Sequence, residues 1–286
     1  MANINYETNP ITIIISGFKQ AFSKSQQLAI MLIVVPIVLG VVNLIAQVFF
    51  EVFGSALDSS NDKAPAVIVV GFILFILAML LTVFIQVMYS GFQAFASVKI
   101  SRGEDETFGK ALEQALSKFW KIVTVNFMVF IYTLPYVLAI TSLVVLNIVL
   151  GAQSQLSLAF SLPISIILAI VLCLLTVRIY LRFAFALYYL FDGNHSATVS
   201  LEKSKQLTHK RLSEVFGVLT LSSLVPFVSN LCSVSGMAIL YTQLTQARTA
   251  KSELPKQHLL NYLVPILALI VVTMIGFVLL ALYAAA

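Results

Sequence analysis

The chain has 286 residues, of which 60% are hydrophobic and only 10% are charged. Soluble domains average roughly 45–50% apolar and 25% charged residues, so this composition excludes an ordinary soluble fold. The formal net charge is +5, but the basic residues are spread along the chain beside apolar stretches, which disfavours nucleic-acid binding.

Long uncharged stretches predict helices that cross a membrane several times. A helix needs about 20 apolar residues to span a bilayer core of roughly 30 Å. We therefore predict a polytopic, all-helical transmembrane bundle with about seven spans. Residues 231–247 form either the return half of a hairpin or a re-entrant segment, which would leave six spans. The predicted crossings are residues 28–50, 66–88, 122–147, 158–178, 213–229, 231–247 and 259–283.

The distribution of Lys and Arg predicts the side of the membrane on which each loop lies, because cytoplasmic loops collect basic residues. Lys210 and Arg211 precede residues 213–247, and three basic residues from Arg248 onward follow them. Both flanks therefore belong on one side, which favours a hairpin over a single crossing. With a cytoplasmic N-terminus, 16 of the 17 basic residues lie inside and only Lys63 lies outside.

Three cytoplasmic segments precede pairs of spans, and each is predicted to form an amphipathic helix along the membrane surface. Asn9 and Pro10 suit the start of the first helix, Asp105 can cap the second, and the third covers residues 196–210. The apolar stripe of the first helix is Ile11, Ile14, Ile15, Phe18 and Phe22. That of the second is Phe108, Leu112, Ala115, Leu116 and Phe119, and the third has a thin stripe of Leu201 and Leu207.

These segments predict a threefold internal repeat within one integral membrane domain, residues 1–286. The repeat units are residues 8–98, 105–192 and 196–248, followed by a single span at 259–283. The second and third units match at an offset of 91 residues, and the first joins them through QAFSK against QALSK. The matching pairs include Tyr89 with Tyr180, Phe92 with Phe183, Thr107 with Thr198, Leu116 with Leu207 and Ser117 with Thr208.

Catalytic and metal-binding patterns are absent from the sequence. His195, His209 and His258 lie at the ends of predicted spans without partners at metal-ligand or triad spacing, and no glycine-rich phosphate loop occurs. We therefore predict no enzyme activity, no cofactor and no metal. Polar side chains within the spans are expected to bond between helices or, alternatively, to line a path for a lipid or small molecule. They are Asn43, Gln47, Thr82, Gln86, Asn126, Thr133, Thr141, Ser142, Asn147, Ser222 and Ser223.

Arg178 and Arg182 form the most distinctive charged pair, because they lie four residues apart on one helical face ahead of Tyr188 and Tyr189. One interpretation is that they anchor the span at the interface together with an aromatic belt. The other is that they contact an anionic lipid headgroup, since arginine matches phosphate with two parallel N–H donors. Both interpretations stay open at this point.

The segment YYLFDGNHSATVSLEKSKQLTHKRLSEVFGVLTLSSLVPFVS resembles an uncharacterised family of polytopic bacterial inner-membrane proteins. That family is akin to the membrane domain associated with some glycerophosphodiester phosphodiesterases. The similarity depends on Asp192 after a span, on Ser204, Leu207 and Thr208 in the next helix, and on the later AILYTQLTQAR. It covers most of the chain in layout but only this third in residues. The resemblance implies a bacterial plasma membrane and supplies no catalytic site.

The sequence therefore predicts a non-enzymatic protein of the bacterial inner membrane with a role in envelope or lipid homeostasis or as a membrane scaffold. The alternative is a transporter or channel for a lipid or small amphiphile. Membrane lipids and other membrane proteins are the expected partners, and nucleic acid is not. The sequence makes no prediction of oligomeric state.

Overall fold

A computed structural model describes residues 6–58, 65–153, 155–225, 228–250 and 254–285. Every regular element within these ranges is an α-helix, which confirms the predicted all-helical class. The helices are α1 (Pro10–Lys24), α2 (Gln26–Asp58), α3 (Pro65–Arg102), α4 (Phe108–Ser117), α5 (Phe119–Gln153), α6 (Gln155–Arg182), α7 (Ala186–Asp192), α8 (Ala197–Leu207), α9 (Leu212–Ser223), α10 (Ser229–Thr249) and α11 (Leu260–Ala285).

Several helices have the dimensions and composition of membrane spans. Three described segments are long and apolar enough to cross a bilayer, namely Ile76–Arg102, Phe119–Leu150 and Ser161–Asp192. A fourth candidate arises if α1 and the segment Gln26–Val41, which are bent by 112°, form one broken span. These helices indicate a membrane protein. The count of seven crossings is not confirmed and stays a prediction.

The region predicted as a hairpin, residues 213–247, does contain two helices, but the first is short. α9 has 12 residues and so extends about 18 Å at 1.5 Å per residue, well below the roughly 30 Å of a bilayer core. α10 has 21 residues, yet its many serines, threonines and glutamines leave it outside the three apolar candidates. α9 alone is therefore too short for the crossing predicted at 213–229.

The face that α1 buries differs from the predicted stripe. Ile11 and Ile15 are 44% and 48% exposed, whereas Ile13, two residues further on than Ile11, is fully buried. Gly17 lies on the buried face, where an added Cβ would come within 2.5 Å of the Ser235 carbonyl oxygen on α10. A small residue is required at this crossing because the two backbones approach so closely. The protein-facing side of α1 is thus set by a small residue that the apolar pattern does not reveal.

The start of α4 is capped by a different residue from the one predicted. α4 begins at Phe108, and the Thr107 hydroxyl accepts a hydrogen bond from the Lys110 N–H at 3.4 Å. Asp105 stands too early to cap α4. Its carboxylate instead accepts from the Gln27 N–H at 3.2 Å and so caps the start of α2.

The third predicted surface helix is present as α8, and its start agrees with the prediction. The Ser196 hydroxyl accepts from the Val199 N–H at 3.4 Å. α8 packs against α7, just as α4 packs against α3. Both short helices are therefore capped at their starts and packed on the helix that precedes them.

The chain divides into two compact units. Unit 1 consists of Met1–Pro10, Trp120–Thr220 and Leu240–Ala286, and unit 2 consists of Ile11–Phe119 and Leu221–Ile239. The bounds of these two units differ from those of the three predicted repeats. Both the threefold repeat and the single membrane domain stay predictions. Each unit contains one of the short capped helices, α4 in unit 2 and α8 in unit 1.

Candidate functional site

An amphipathic cavity of about 530 Å³ lies in unit 1 between α5, the end of α6 and α8. Its walls combine apolar side chains with tyrosines and with charged groups. We call it the amphipathic cavity, and its lining residues are Met128, Tyr132, Tyr136, Ile179, Arg182, Phe183, Thr198, Leu201, Glu202 and Lys205.

Two buried hydroxyl groups hold α8 at the end of α6. The Arg182 carbonyl oxygen accepts hydrogen bonds from Ser204 Oγ at 2.9 Å and from Thr208 Oγ1 at 3.2 Å. Ser204 Oγ in turn accepts from the Phe185 N–H at 3.1 Å. The helix is interrupted between α6 and α7 at this point, so these bonds satisfy backbone groups that the break releases. They also fix which face of α8 is turned to the cavity.

The cavity-lining face of α8 follows helical spacing. Thr198, Leu201, Glu202 and Lys205 recur at intervals of three or four residues and line the cavity. Ser204 on another face is fully buried against the protein. α8 therefore has one face that anchors it and a second that supplies a carboxylate and an ammonium group to the cavity.

The two cations of the cavity are unpaired. Among the described residues, neither the Arg182 guanidinium nor the Lys205 ammonium group forms a hydrogen bond or an ion pair with another side chain. Arg178, the other member of the predicted pair, is exposed and is not among the described lining residues. The structure thus brings Arg182 together with Lys205 instead of Arg178. Lys205 lies within the third predicted surface helix, but the sequence did not indicate that its side chain lies near Arg182.

The remaining walls suit an acyl chain. Met128, Ile179 and Leu201 supply aliphatic surface, and the rings of Tyr132 and Phe183 stack with their centroids 5.3 Å apart. No described residue forms a hydrogen bond with the hydroxyl group of Tyr132 or Tyr136. The cavity therefore offers cationic and hydroxyl groups together with an apolar wall, a combination suited to a ligand with an anionic head and a hydrocarbon tail.

The aromatic residues after Arg182 do not form the expected interfacial belt. Tyr188 and Tyr189 are each only 8% exposed and pack against Tyr241, with ring centroids 5.4 Å and 5.3 Å away. The Tyr241 hydroxyl donates to Asp192 Oδ2 at 2.8 Å. These tyrosines belong to the core of unit 1, so they do not anchor the span by contact with lipid.

An apolar cavity of about 290 Å³ lies in unit 2 between α2, α3 and α4. Its described lining consists of aliphatic and aromatic residues. We call it the apolar cavity, and its lining residues are Val35, Leu39, Phe84, Ile85, Met88, Tyr89, Phe92, Phe108, Leu112 and Leu116.

Polar side chains along the long helices mostly bond to their own helix. Thr82, Thr141 and Ser142 each donate to the carbonyl oxygen four residues earlier, at 2.8–3.0 Å. Asn147 differs, since its Oδ1 accepts from Ser161 Oγ on α6 at 3.0 Å. For Thr82, Thr141 and Ser142, bonds within one helix therefore take the place of the predicted bonds between helices. The side chain of Asn43, which the same prediction included, lies outside the described part of the structure.

A buried ion pair elsewhere in unit 1 joins three distant parts of the sequence. Arg211 Nη1 donates to Glu214 Oε1 at 2.6 Å, and the Tyr6 hydroxyl donates to Glu214 Oε2 at 2.7 Å. Arg211 Nη2 also donates to the Pro255 carbonyl oxygen at 2.9 Å. Burial is the main factor that raises the pKa of Tyr6, so its hydroxyl keeps the proton that it donates. Sequence reasoning missed this cluster, since Tyr6 is 208 residues from Glu214.

The described residues contain no group of three or more His, Cys, Asp or Glu side chains placed to bind a metal ion. His195 Nε2 lies 2.8 Å from Lys203 Nζ. Comparisons of the chain with protein-family models, with curated proteins and with solved structures gave no match.

Proposed function

We propose that this chain is a non-enzymatic integral membrane protein that binds a phospholipid in the amphipathic cavity and acts in envelope or lipid homeostasis. The observation that carries the proposal is the pair of unpaired cations, Arg182 and Lys205, beside an apolar wall. A phosphate group would be held by the guanidinium fork and the ammonium group. The acyl chains would lie along Met128 and Ile179 and continue into the bilayer.

The position of the cavity supports a headgroup site. Arg182 is the last residue of a long apolar helix, where a charged side chain can reach the polar edge of a bilayer. Phosphate groups of lipids lie at the same depth. Basic pockets between membrane helices are a recognised way to bind lipid headgroups.

Location in the bacterial inner membrane with a cytoplasmic N-terminus is part of the same proposal. It is supported by the distribution of Lys and Arg beside the apolar stretches and by the family resemblance. On this topology the cavity opens to the cytoplasmic leaflet, and its ligand is a lipid of that leaflet.

Lipid binding without transport is favoured over the transporter alternative by three hydroxyl groups of α5 that lie outside the described lining of the amphipathic cavity. A transport path needs polar side chains that face a cavity. The Thr133 hydroxyl donates to the Phe130 carbonyl oxygen at 2.9 Å, and Thr141 and Ser142 also bond to their own helix. These groups are occupied locally instead of lining a continuous path.

The proposal is tested by removing both cations in the variant Arg182→Gln/Lys205→Gln. Each hydrogen bond to a charged group contributes about 1.5–3 kcal/mol, so loss of both should lower phospholipid affinity at least tenfold. The protein is purified in a mild nonionic detergent, and retained phospholipid per chain is quantified by mass spectrometry. We expect the double variant to lose most of the lipid that the wild type retains.

The matched control is Arg178→Gln/Lys19→Gln, which removes the same number of positive charges at exposed positions outside the described cavity lining. It should retain lipid at the wild-type level. Equal retention by the double cavity variant and the wild type would overturn the proposal. So would an equal loss in the control, because binding would then follow net charge alone.

A further inference from the structure

The amphipathic cavity contains a carboxylate as well as two cations. Glu202 lies on the cavity-lining face of α8, three residues before Lys205 and one helical turn after Thr198. Within the described residues it forms no ion pair with Arg182 or Lys205, although all three line the same cavity. The carboxylate is therefore not used to neutralise the cations of the protein.

A hydrogen bond from a neighbouring side chain orients this carboxylate. Glu202 Oε1 accepts from Gln206 Nε2 at 3.2 Å. Gln206 Oε1 in turn accepts from Arg248 Nη2 at 2.5 Å. No described residue donates to Glu202 Oε2, so this oxygen keeps its capacity to accept a hydrogen bond from a ligand.

The balance of charges restricts which headgroup fits. The two cations can hold a phosphate group, but the carboxylate then still needs a cationic partner of its own. A phosphodiester without a compensating positive group satisfies the cations but leaves Glu202 beside a like charge. A headgroup with a phosphate and a nearby primary ammonium satisfies all three groups. Tyr132 and Tyr136 also line the cavity, and aromatic rings attract ammonium groups.

We infer that the amphipathic cavity selects an amine-bearing phospholipid, whose phosphate binds Arg182 and Lys205 and whose ammonium group binds Glu202. This inference rests on the proposed function, since it assumes that the cavity holds a phospholipid. It adds a specificity-determining residue and a headgroup class. The apolar wall of Met128, Ile179 and Leu201 makes the ligand an intact lipid instead of a free aminophosphate ester.

The test is a competition between two lipids with identical acyl chains. Delipidated protein in detergent is mixed with equimolar phosphatidylethanolamine and phosphatidylglycerol, and bound lipid is identified by native mass spectrometry. We expect the wild type to bind phosphatidylethanolamine in several-fold excess. Glu202→Gln should bring the ratio to one or below, because only phosphatidylethanolamine loses a partner for its ammonium group.

Glu113→Gln is the matched control. Glu113 occupies the corresponding place on α4, six residues after its cap, is exposed, and does not belong to the described lining of the apolar cavity. This variant should keep the wild-type lipid ratio. Size-exclusion profiles of both variants should match the wild type, because both substitutions are at exposed positions.

The outcomes separate the inference from the proposed function. A wild-type ratio of one or below, or an unchanged preference in Glu202→Gln, would overturn the amine selectivity even if Arg182→Gln/Lys205→Gln loses both lipids. Retention of both lipids by that double variant would instead overturn the proposed function. Water-soluble glycerophosphoethanolamine in tenfold excess should leave the bound lipid in place, and displacement by it would contradict an intact lipid as the ligand.

Discussion

The amphipathic cavity of unit 1 and the apolar cavity of unit 2 are each bounded by two long helices and by a short capped helix later in the chain. On the long helices, Ile179 and Phe183 of the first cavity stand 91 residues after Met88 and Phe92 of the second. Two cavities with the same arrangement of helices therefore differ in their lining, because the amphipathic cavity includes charged side chains and the described lining of the apolar cavity does not.

The short helices correspond at a different offset from the long ones. Their caps, Thr107 and Ser196, are 89 residues apart. This spacing pairs Leu116 of the apolar cavity with Lys205 of the amphipathic cavity, instead of the Leu207 that a constant offset of 91 assigns. At the offset of the long helices, Arg182 corresponds to the buried Gly91. Both cations of the amphipathic cavity, Arg182 and Lys205, thus stand at positions where the apolar cavity has no charged residue. Two positions are therefore enough to change which ligand a cavity can bind.

Exchanging the residues at the position shared by Lys205 and Leu116 should make the two cavities more alike in lipid binding. Lys205→Leu removes one charged partner of the phosphate, which contributes about 1.5–3 kcal/mol, so phospholipid affinity should fall tenfold or more. Leu116→Lys places an ammonium group at the matching position, where the native leucine is 50% exposed. This variant should bind a second phospholipid. Affinity and stoichiometry are measured by titrating delipidated protein and recording native mass spectra.

Conservative changes at the same positions provide the controls. Lys205→Arg keeps the charge and should keep affinity within a few-fold of the wild type, and Leu116→Met should leave the stoichiometry unchanged. Unaltered affinity in Lys205→Leu would show that the cation at this position does not determine the chemistry of the cavity.

A smaller effect is expected from the residues that anchor the two short helices. Ser204 and Ala115 correspond at the offset of 89 and are both fully buried. α3 is continuous to Arg102, whereas the matching region is broken between α6 and α7. The break releases the Phe185 N–H, and Ser204 Oγ accepts it. A hydroxyl is needed only where the helix is interrupted, which explains serine in one unit and alanine in the other.

Ser204→Ala should therefore lower the free energy of unfolding by about 1–3 kcal/mol, because it leaves a buried N–H without a partner. The reciprocal change, Ala115→Ser, should cost less, since a helical serine can donate to its own backbone. Thermal unfolding of both variants in detergent, followed by circular dichroism, measures the difference. Equal destabilisation would indicate that lost packing, and not the released N–H, governs the effect of Ser204.

Part of this organisation could be predicted from the sequence for physical reasons. Uncharged stretches of more than 20 residues specify helices by composition alone, and a cap such as Ser196 marks a helix start locally. The prediction that Asp105 caps α4 was wrong, because a local sequence pattern does not show that the Asp105 carboxylate reaches the start of α2. The apolar stripe of α1 does not show that this helix packs on the protein through Gly17, because that contact depends on α10, more than 200 residues later.

Sequence reasoning identified one charged residue of the candidate site, Arg182, and missed the other two. Arg182 stood out because it lies four residues after Arg178 on one helical face at the end of an apolar stretch. Lys205 and Glu202 did not, since their approach to Arg182 depends on how Ser204 and Thr208 fix the rotation of α8. The repeat stays a prediction, and its single offset of 91 does not pair Leu116 with Lys205, because the chain from Phe183 to Ser196 is two residues shorter than the chain from Phe92 to Thr107.

The most direct test of the account is to locate a bound phospholipid by cross-linking. Protein reconstituted with a phospholipid that carries a photoactivatable group beside its phosphate is irradiated, digested and mapped by mass spectrometry. We predict adducts on peptides that contain Tyr132, Tyr136 and residues 198–205, and their loss in Arg182→Gln/Lys205→Gln. Adducts at residues 108–116 in equal yield, or adducts that persist in the double variant, would contradict the claim that the amphipathic cavity holds the headgroup.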